Sequence, residues 1–320
     1  MKPLRSLLDT ALDRTVVPGY TKLGYWVRRT GWDADDPRPG SMTGKRVLVT
    51  GASSGLGQAA AEGLARLGAT VHLLVRNEDK GRAVLDGVRA DVPGADVHLE
   101  LCDVSDLADV RRFADDFASR VDRLDVLVHN AGSMPPERTE APGGHELTVA
   151  LHVLGPLLMT ELLLPVLRGH DARVVLVTSG GMYTQRLPVR DPDYQRGEYR
   201  GTIAYARSKR MQVALAPLMQ QRWAGAGLGV HVMHPGWADT PGVATSLPVF
   251  KKITGPLLRD TEQGADTVVW LAATDPQPEG GRLWMDRAER PAHYRKSTRE
   301  SAAEREQMWA WVLDAAGLAR

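Results

Sequence analysis

The chain has 320 residues, with 40 Lys and Arg against 39 Asp and Glu and a formal net charge of +1. That balance supplies no general pull toward nucleic acid or an anionic surface, so no nucleic-acid partner is expected. A single cysteine, Cys102, rules out an internal disulfide and a cysteine-built metal site; no metal is expected, and the chain suits a reducing cytoplasm.

Residues 1–44 read as an N-terminal extension. Asp9, Asp13 and Arg14 interrupt it, which no secretory apolar core would tolerate. Leu4, Leu7, Leu8, Ala11 and Leu12 recur at helical spacing and form one apolar stripe, which Pro18-Gly19 breaks. Tyr20, Leu23, Tyr25 and Trp26 make a second cluster, and a turn-rich run follows from Asp33 to Gly40. Mixed rather than basic charge favours a helix packed on the outside of the domain over a membrane-surface or partner-binding helix.

From Lys45 short apolar runs alternate with helical segments. Strands are expected at 46–50, Thr70–Val75, Val97–Leu101, Val126–His129, Val174–Val177 and Val230–Met233, and a helix at Gln58–Leu67 capped by Gly68. Such short apolar strands indicate a parallel sheet covered on both faces: an α/β, doubly wound, Rossmann-like domain over 45–286. Val153–Leu167 is apolar but contains Glu161 and is too short to span a bilayer, so it reads as a buried helix with no transmembrane segment expected. The tail, 287–320, carries a capping box, Ser301-x-x-Glu304, that starts a terminal helix.

Gly51, Ser53, Ser54, Gly55, Leu56 and Gly57 lie between the first strand and the first helix. The spacing is not G-x-G-x-x-G, but at the first βα junction such glycines let backbone approach a pyrophosphate at a helix N-terminus. Arg76 follows the second strand, where a carboxylate would favour NAD; a guanidinium pairs with a 2′-phosphate instead, which favours NADP. Asp103, beside Val104, can meet an adenine amino group or cap the next helix; Ser105 and Asp106 offer alternative caps, which leaves Asp103 free. The small residues of Asn130-Ala131-Gly132 allow backbone to lie against a cofactor.

Tyr205 and Lys209 stand four apart on one helical face, behind a strand that ends at Ser179. A phenol with an ordinary pKa of about 10 is a poor base at neutral pH, and a nearby cation lowers that value. The Ser179 hydroxyl is placed to hold a carbonyl oxygen.

These motifs, with the later Pro235-Gly236, resemble the short-chain dehydrogenase/reductase family, in its order from Lys45 to about Thr240. Ser179–Met182, Met233–Val243 and Gln263–Thr267 resemble one subgroup of it, a likeness that extends over both termini but fixes no substrate. The resemblance implies that Gly51, Gly55 and Gly57 line the pyrophosphate and Asn130 the adenosine side. It further implies that Ser179 orients the carbonyl, Tyr205 transfers the proton, Lys209 lowers the tyrosine pKa and binds ribose, and Thr240 approaches the carboxamide. The chain departs from the family at His152, where an Asn usually holds a relay water. Histidine can donate and accept, so it could keep the relay, block it, or be a core residue. The expectation is an NADP(H)-dependent oxidoreductase acting on a hydrophobic carbonyl or alcohol, with an apolar lid or a packed helix pair after Trp237. The alternative is an NADP(H)-binding regulator or redox sensor with little turnover. Homo-oligomers are common in the family, though the extra termini could cover the usual interface.

Overall fold

β-Branched and leucine-rich runs build an eight-stranded sheet in the order β3-β2-β1-β4-β5-β6-β7-β8. The strands are β1 (Arg46–Thr50), β2 (Thr70–Val75), β3 (Val97–Leu101), β4 (Val126–His129), β5 (Arg173–Val177), β6 (Gly229–Met233), β7 (Arg282–Met285) and β8 (Ala288–Arg290). β1 to β7 pair in parallel, and β8 is antiparallel to β7. This computed structural model describes residues 9–168, 171–246 and 248–319; Leu4, Leu7 and Leu8 of the expected N-terminal stripe lie outside them.

Alternation along the strands gives each sheet face its own core. Leu48, Leu127 and Leu176 point to one cluster, with residues of the helices Leu107–Arg120, Gly155–Leu167 and Gly201–Trp223. Val47, Val49, Val128 and Val175 point to the other, with the helices Gly55–Arg66 and Thr261–Ala273. The chain order reverses between β1, which pairs with β2, and its other neighbour β4. Open α/β sheets bind ligands in the crevice at the carboxyl end of such a switch point.

Three expectations change. The first domain helix begins at Gly55, inside the glycine loop, rather than at Gln58. The apolar helix is longer than expected: Leu147–Leu167 is continuous over 21 residues and reaches spanning length, yet 78% of its most apolar window is buried inside the protein. Glu161 interrupts its apolar run because the carboxylate takes Arg222 bidentately and accepts from Trp223 Nε1 at 2.7 Å. Finally, β7 and β8 extend the sheet where no strand is expected. The terminal helix, Ala302–Ala315, does carry the reciprocal Ser301–Glu304 capping box.

The N-terminal extension packs onto the outside of the domain. Its helix Lys22–Arg29 buries Arg28, whose guanidinium reaches Asp286 at 2.6 Å and Asp9 at 2.6 Å. Tyr20 lies with its ring against Gly180 and 4.9 Å from the His234 ring, and its carbonyl accepts from Trp237 N–H at 2.8 Å.

Candidate active site

The glycine loop is held open by its backbone. Gly51 has φ +66°, and a Cβ there would sit 2.7 Å from Ala131 Cα, so only glycine lets this turn lie against β4's end. Thr50 Oγ1 accepts from the N–H groups of Asn130 and Ala131, each at 3.0 Å. Asn130 Nδ2 donates in return to the carbonyls of Thr50 and Gly51. Asn130 thus fastens the loop to the neighbouring strand as well as facing the cleft. Ser54, at the N-cap of the helix Gly55–Arg66, makes no side-chain capping bond. The first N–H groups of that helix therefore have no capping partner from its side chain, as an anion site requires.

The cleft has a volume of about 770 Å³. Gly51, Ser53, Ser54, Gly55, Leu56, Arg76, Asp103, Val104, Asn130, Ala131 and Gly132 line one part of it. Ser179, Tyr205, Lys209, Pro235, Gly236 and Thr240 line the other. Two expected residues do not reach this wall. A Cβ on Gly57 would meet Asn130 Nδ2 and Gly51 O at 2.4 Å, so this glycine permits close packing of helix on loop. His152 is fully buried behind the wall. Asp103 is also less free than expected: Oδ1 accepts from both the N–H and the hydroxyl of Ser105. Its Oδ2 lies 3.5 Å from Arg76, a guanidinium with 75% of its side chain exposed. Asp106 caps the following helix.

At the far end, the Ser179 hydroxyl and the Tyr205 phenol line the cleft together. Burial pushes that phenol up to about 12, and the neighbouring Ser179 hydroxyl opposes it. The expectation that Lys209 draws the tyrosine down is not met. The lysine Nζ donates to Val177 O at 2.7 Å and stands 5.6 Å from the tyrosine ring centre. Burial lowers Lys209 itself to about 7. Tyr205 is therefore a protonated acid at neutral pH, suited to giving a proton to a developing alkoxide.

His152 lies in a short π-helical stretch, Ala150–Leu154, with its ring centre 5.3 Å from that of Tyr205. Ser133 N–H donates to Nε2 at 3.2 Å, which puts the ring proton on Nδ1. Nδ1 then donates to Ser208 Oγ at 2.8 Å, and that hydroxyl donates to Tyr205 O. Burial, and secondarily the Lys209 charge, hold the imidazole well below its ordinary pKa. Neither ring nitrogen contacts Lys209, so the geometry fits an imidazole that positions the Tyr205 helix. Ser208 had escaped the sequence reading, although its place three residues after Tyr205 on the same helix was a usable signal. We expect His152→Leu to cost about 1–3 kcal/mol of stability, because Ser133 N–H loses its acceptor and Ser208 a donor. His152→Asn should cost less. Denaturant melts of both variants, with the wild-type pH–rate profile, check this; a limb of that profile that vanishes in His152→Asn would restore the imidazole to the proton path.

Dinucleotide cradle, switch-point cleft and Ser–Tyr–Lys set define a nicotinamide-dependent oxidoreductase. The chain matches the short-chain dehydrogenase model over residues 45–248. It is 38% identical over 296 residues to dehydrogenase/reductase SDR family member 12 of Bos taurus, covering 90% of this chain and 91% of that one. Polyprenol dehydrogenase of Mus musculus is 35% identical, with 83% of each chain covered. An uncharacterized protein from Mycobacterium paratuberculosis superposes with a TM-score of 0.70 at 30% identity, covering 90% of this chain and 98% of its own. The chain belongs to the short-chain dehydrogenase/reductase family.

Proposed function

We infer that the protein reduces a hydrophobic carbonyl, or oxidises the corresponding alcohol, with NADP(H), in the reducing cytoplasm. The observation that carries the reading is the convergence of Ser179, Tyr205 and buried Lys209 on one end of a cleft whose other end is a glycine cradle. The cradle fits a dinucleotide, because Gly51 and Gly55, both at positive φ, bring bare backbone to the cleft at the start of a helix. The bound nicotinamide supplies or takes the hydride. Ser179 holds the substrate oxygen, and Tyr205 delivers the proton to it as the carbonyl becomes an alkoxide. Lys209, buried beside them, reaches the ribose hydroxyls of the bound cofactor and recharges the phenol in this reading. Met134, Leu147, Leu151, Ile203, Trp237 and Phe250 line the cleft, which supports an apolar substrate. The name of the mouse polyprenol dehydrogenase points the same way.

Arg76 supports NADP over NAD. Its ion pair with Asp103 is long and solvent-exposed, hence weak, and leaves the guanidinium available to a 2′-phosphate. Arg76→Ala should weaken NADPH binding by about tenfold or more, the scale of a charge-assisted hydrogen bond, and leave NADH binding nearly unchanged. Fluorescence titration of both cofactors checks this, and equal wild-type affinities would overturn the NADP assignment. The whole reading is tested by a screen of apolar ketones and aldehydes with NADPH. Binding of NADPH without turnover across that panel would favour a regulator or redox sensor.

A further inference from the structure

Among the described residues, eight large hydrophobic side chains are strongly exposed: Val17, Leu23, Trp26, Val27, Leu101, Val249, Ile253 and Leu257. All but Leu101 fall within two stretches, 14–32 and 240–259, far apart in sequence. Neither stretch contains a single Asp or Glu, in a chain that has 39 of them. Arg14, Lys22, Arg29 and Lys252 are exposed there. The other cations of the two stretches are already engaged: Arg28 and Arg259 pair with buried Asp286, and Lys251 with Asp239 at 2.7 Å. Buried Asp13 and exposed Asp33 and Asp35 flank the first stretch, and Asp239 and Asp260 the second, where Asp260 caps the next helix.

The two stretches are joined in space. Arg259 Nε donates to Thr21 O at 3.3 Å, and its guanidinium stacks 5.6 Å over the Tyr25 ring. Trp237 N–H donates to Tyr20 O, while Arg259 N–H donates to Trp237 O at 2.8 Å. Trp237 in turn meets Phe250 edge-on at 5.1 Å, and both rings line the cleft. Val249 and Ile253 are four apart on the helix Pro248–Thr254, so they share a face. The result is an apolar and basic surface around the cleft's mouth, a concentration of exposed hydrophobes that soluble monomers rarely leave bare.

We propose that this surface docks the protein on an anionic lipid surface, so that the cleft opens toward apolar substrate dissolved in the bilayer. Apolar side chains flanked by lysine and arginine, with no acid among them, are complementary to acidic headgroups over acyl chains. The helix Lys22–Arg29 meets both demands at once: Arg28 and Tyr25 face the domain, while Leu23, Trp26 and Val27 face out with Lys22 and Arg29. This narrows the expectation of a plain outer helix drawn from mixed charge: the acids lie on either side of residues 14–32, at Asp9 and Asp13 before and at Asp33, Asp35 and Asp36 after, and the exposed charges within the stretch have one sign. The statement about substrate delivery rests on the proposed function, but docking itself is measured without turnover, so the two can fail separately.

The test is flotation of the full-length protein with phosphatidylcholine vesicles, with and without phosphatidylglycerol. Wild type should float with the anionic vesicles and lose this as salt rises. Val249→Glu/Ile253→Glu and, separately, Lys22→Glu/Lys252→Glu should each reduce the bound fraction at least about tenfold while NADPH binding stays at the wild-type level. All four side chains are surface-exposed and outside the cofactor cradle. No flotation of wild type, or flotation that neither variant changes, overturns the proposal. A concentration-dependent dimer that Val249→Glu/Ile253→Glu abolishes, without vesicle binding, would assign the face to a second copy of this chain instead.

Discussion

Tyr205→Phe is expected to lower carbonyl reduction by about two orders of magnitude or more, the scale of general acid catalysis, with NADPH affinity close to wild type. The phenol is half-buried and pushed up to about 12, so at neutral pH it holds its proton until an alkoxide forms nearby. Phenylalanine retains the ring contact with His152 and removes the hydroxyl that carries the proton. The pH dependence follows from Lys209 rather than from the tyrosine. Burial lowers the lysine to about 7, so the ammonium exists below that value and the amine above it. If the ammonium recharges the phenol, reduction slows as pH rises through about 7, and oxidation does not. Steady-state rates across pH 5–9 with saturating cofactor measure both effects. A Tyr205→Phe enzyme that turns over a confirmed substrate at the wild-type rate would remove Tyr205 from the proton path.

The parts of this fold legible in sequence are those whose signal is local. β1 to β6 are short apolar runs between helical segments, and each was recognisable without knowing its neighbours. β7 and β8 were not, for a physical reason. Arg282-Leu283-Trp284-Met285 begins with a charge and carries no β-branched residue, and β8 is a three-residue edge strand of Ala288, Glu289 and Arg290. The turn between them places Asp286 and Arg287 at φ 53° and 57° without the Asn-Gly or Asp-Gly pair that marks such a hairpin. The start of the first helix was misplaced because glycines are poor helix formers, yet here they occupy its first turn beside the cradle.

The candidate site divides along the same line. Gly51, Ser179, Tyr205 and Lys209 sit at strand ends and on one helix face, so chain order alone brought them together. Asp103 and His152 were harder, because their role depends on which polar group arrives across space. Ser105 takes up one oxygen of Asp103, and Ser133 and Ser208 take both nitrogens of His152. The cluster Tyr20, Leu23, Tyr25 and Trp26 was visible as aromatic and apolar, but composition could not say that Tyr20 would lie against Gly180, next to Ser179.

The most consequential of these distant contacts is Asp286, and Asp286→Ala is expected to cost about 3–5 kcal/mol of stability, the range for breaking a buried ion pair. Its side chain is 1% exposed and takes Arg259 at 2.5 and 2.8 Å and Arg28 at 2.6 Å. Burial alone would raise its pKa, but the Arg259 and Arg28 guanidiniums outweigh it and hold the carboxyl below the usual range. A depressed carboxylate contributes stability that is fully present above its unfolded pKa of about 3.9 and is lost as pH falls through the folded value. Alanine leaves Arg259 buried with no carboxylate and Arg28 with Asp9 alone, at a residue with positive φ, where a β-carbon without a polar group gains nothing locally. Asn, which tolerates that conformation and keeps one acceptor, should be less severe. The damage should also reach the active site. Arg259 holds Pro235 O at 3.2 Å, Thr21 O and Gly19 O, so the turn that carries Gly236 and the N-terminal segment are fixed to the same guanidinium. Gly236, at φ +72°, already lies so close to Arg259 that a Cβ would come within 2.7 Å of it. We therefore expect faster proteolysis within residues 14–32 and weaker NADPH binding in Asp286→Ala, in addition to the lower denaturation midpoint. Equilibrium denaturation, limited proteolysis and cofactor titration on the same preparation read all three. A loss of stability under about 1 kcal/mol, with the N-terminal segment still protected, would mean that the two arginines find other partners and that the network does not anchor the extension.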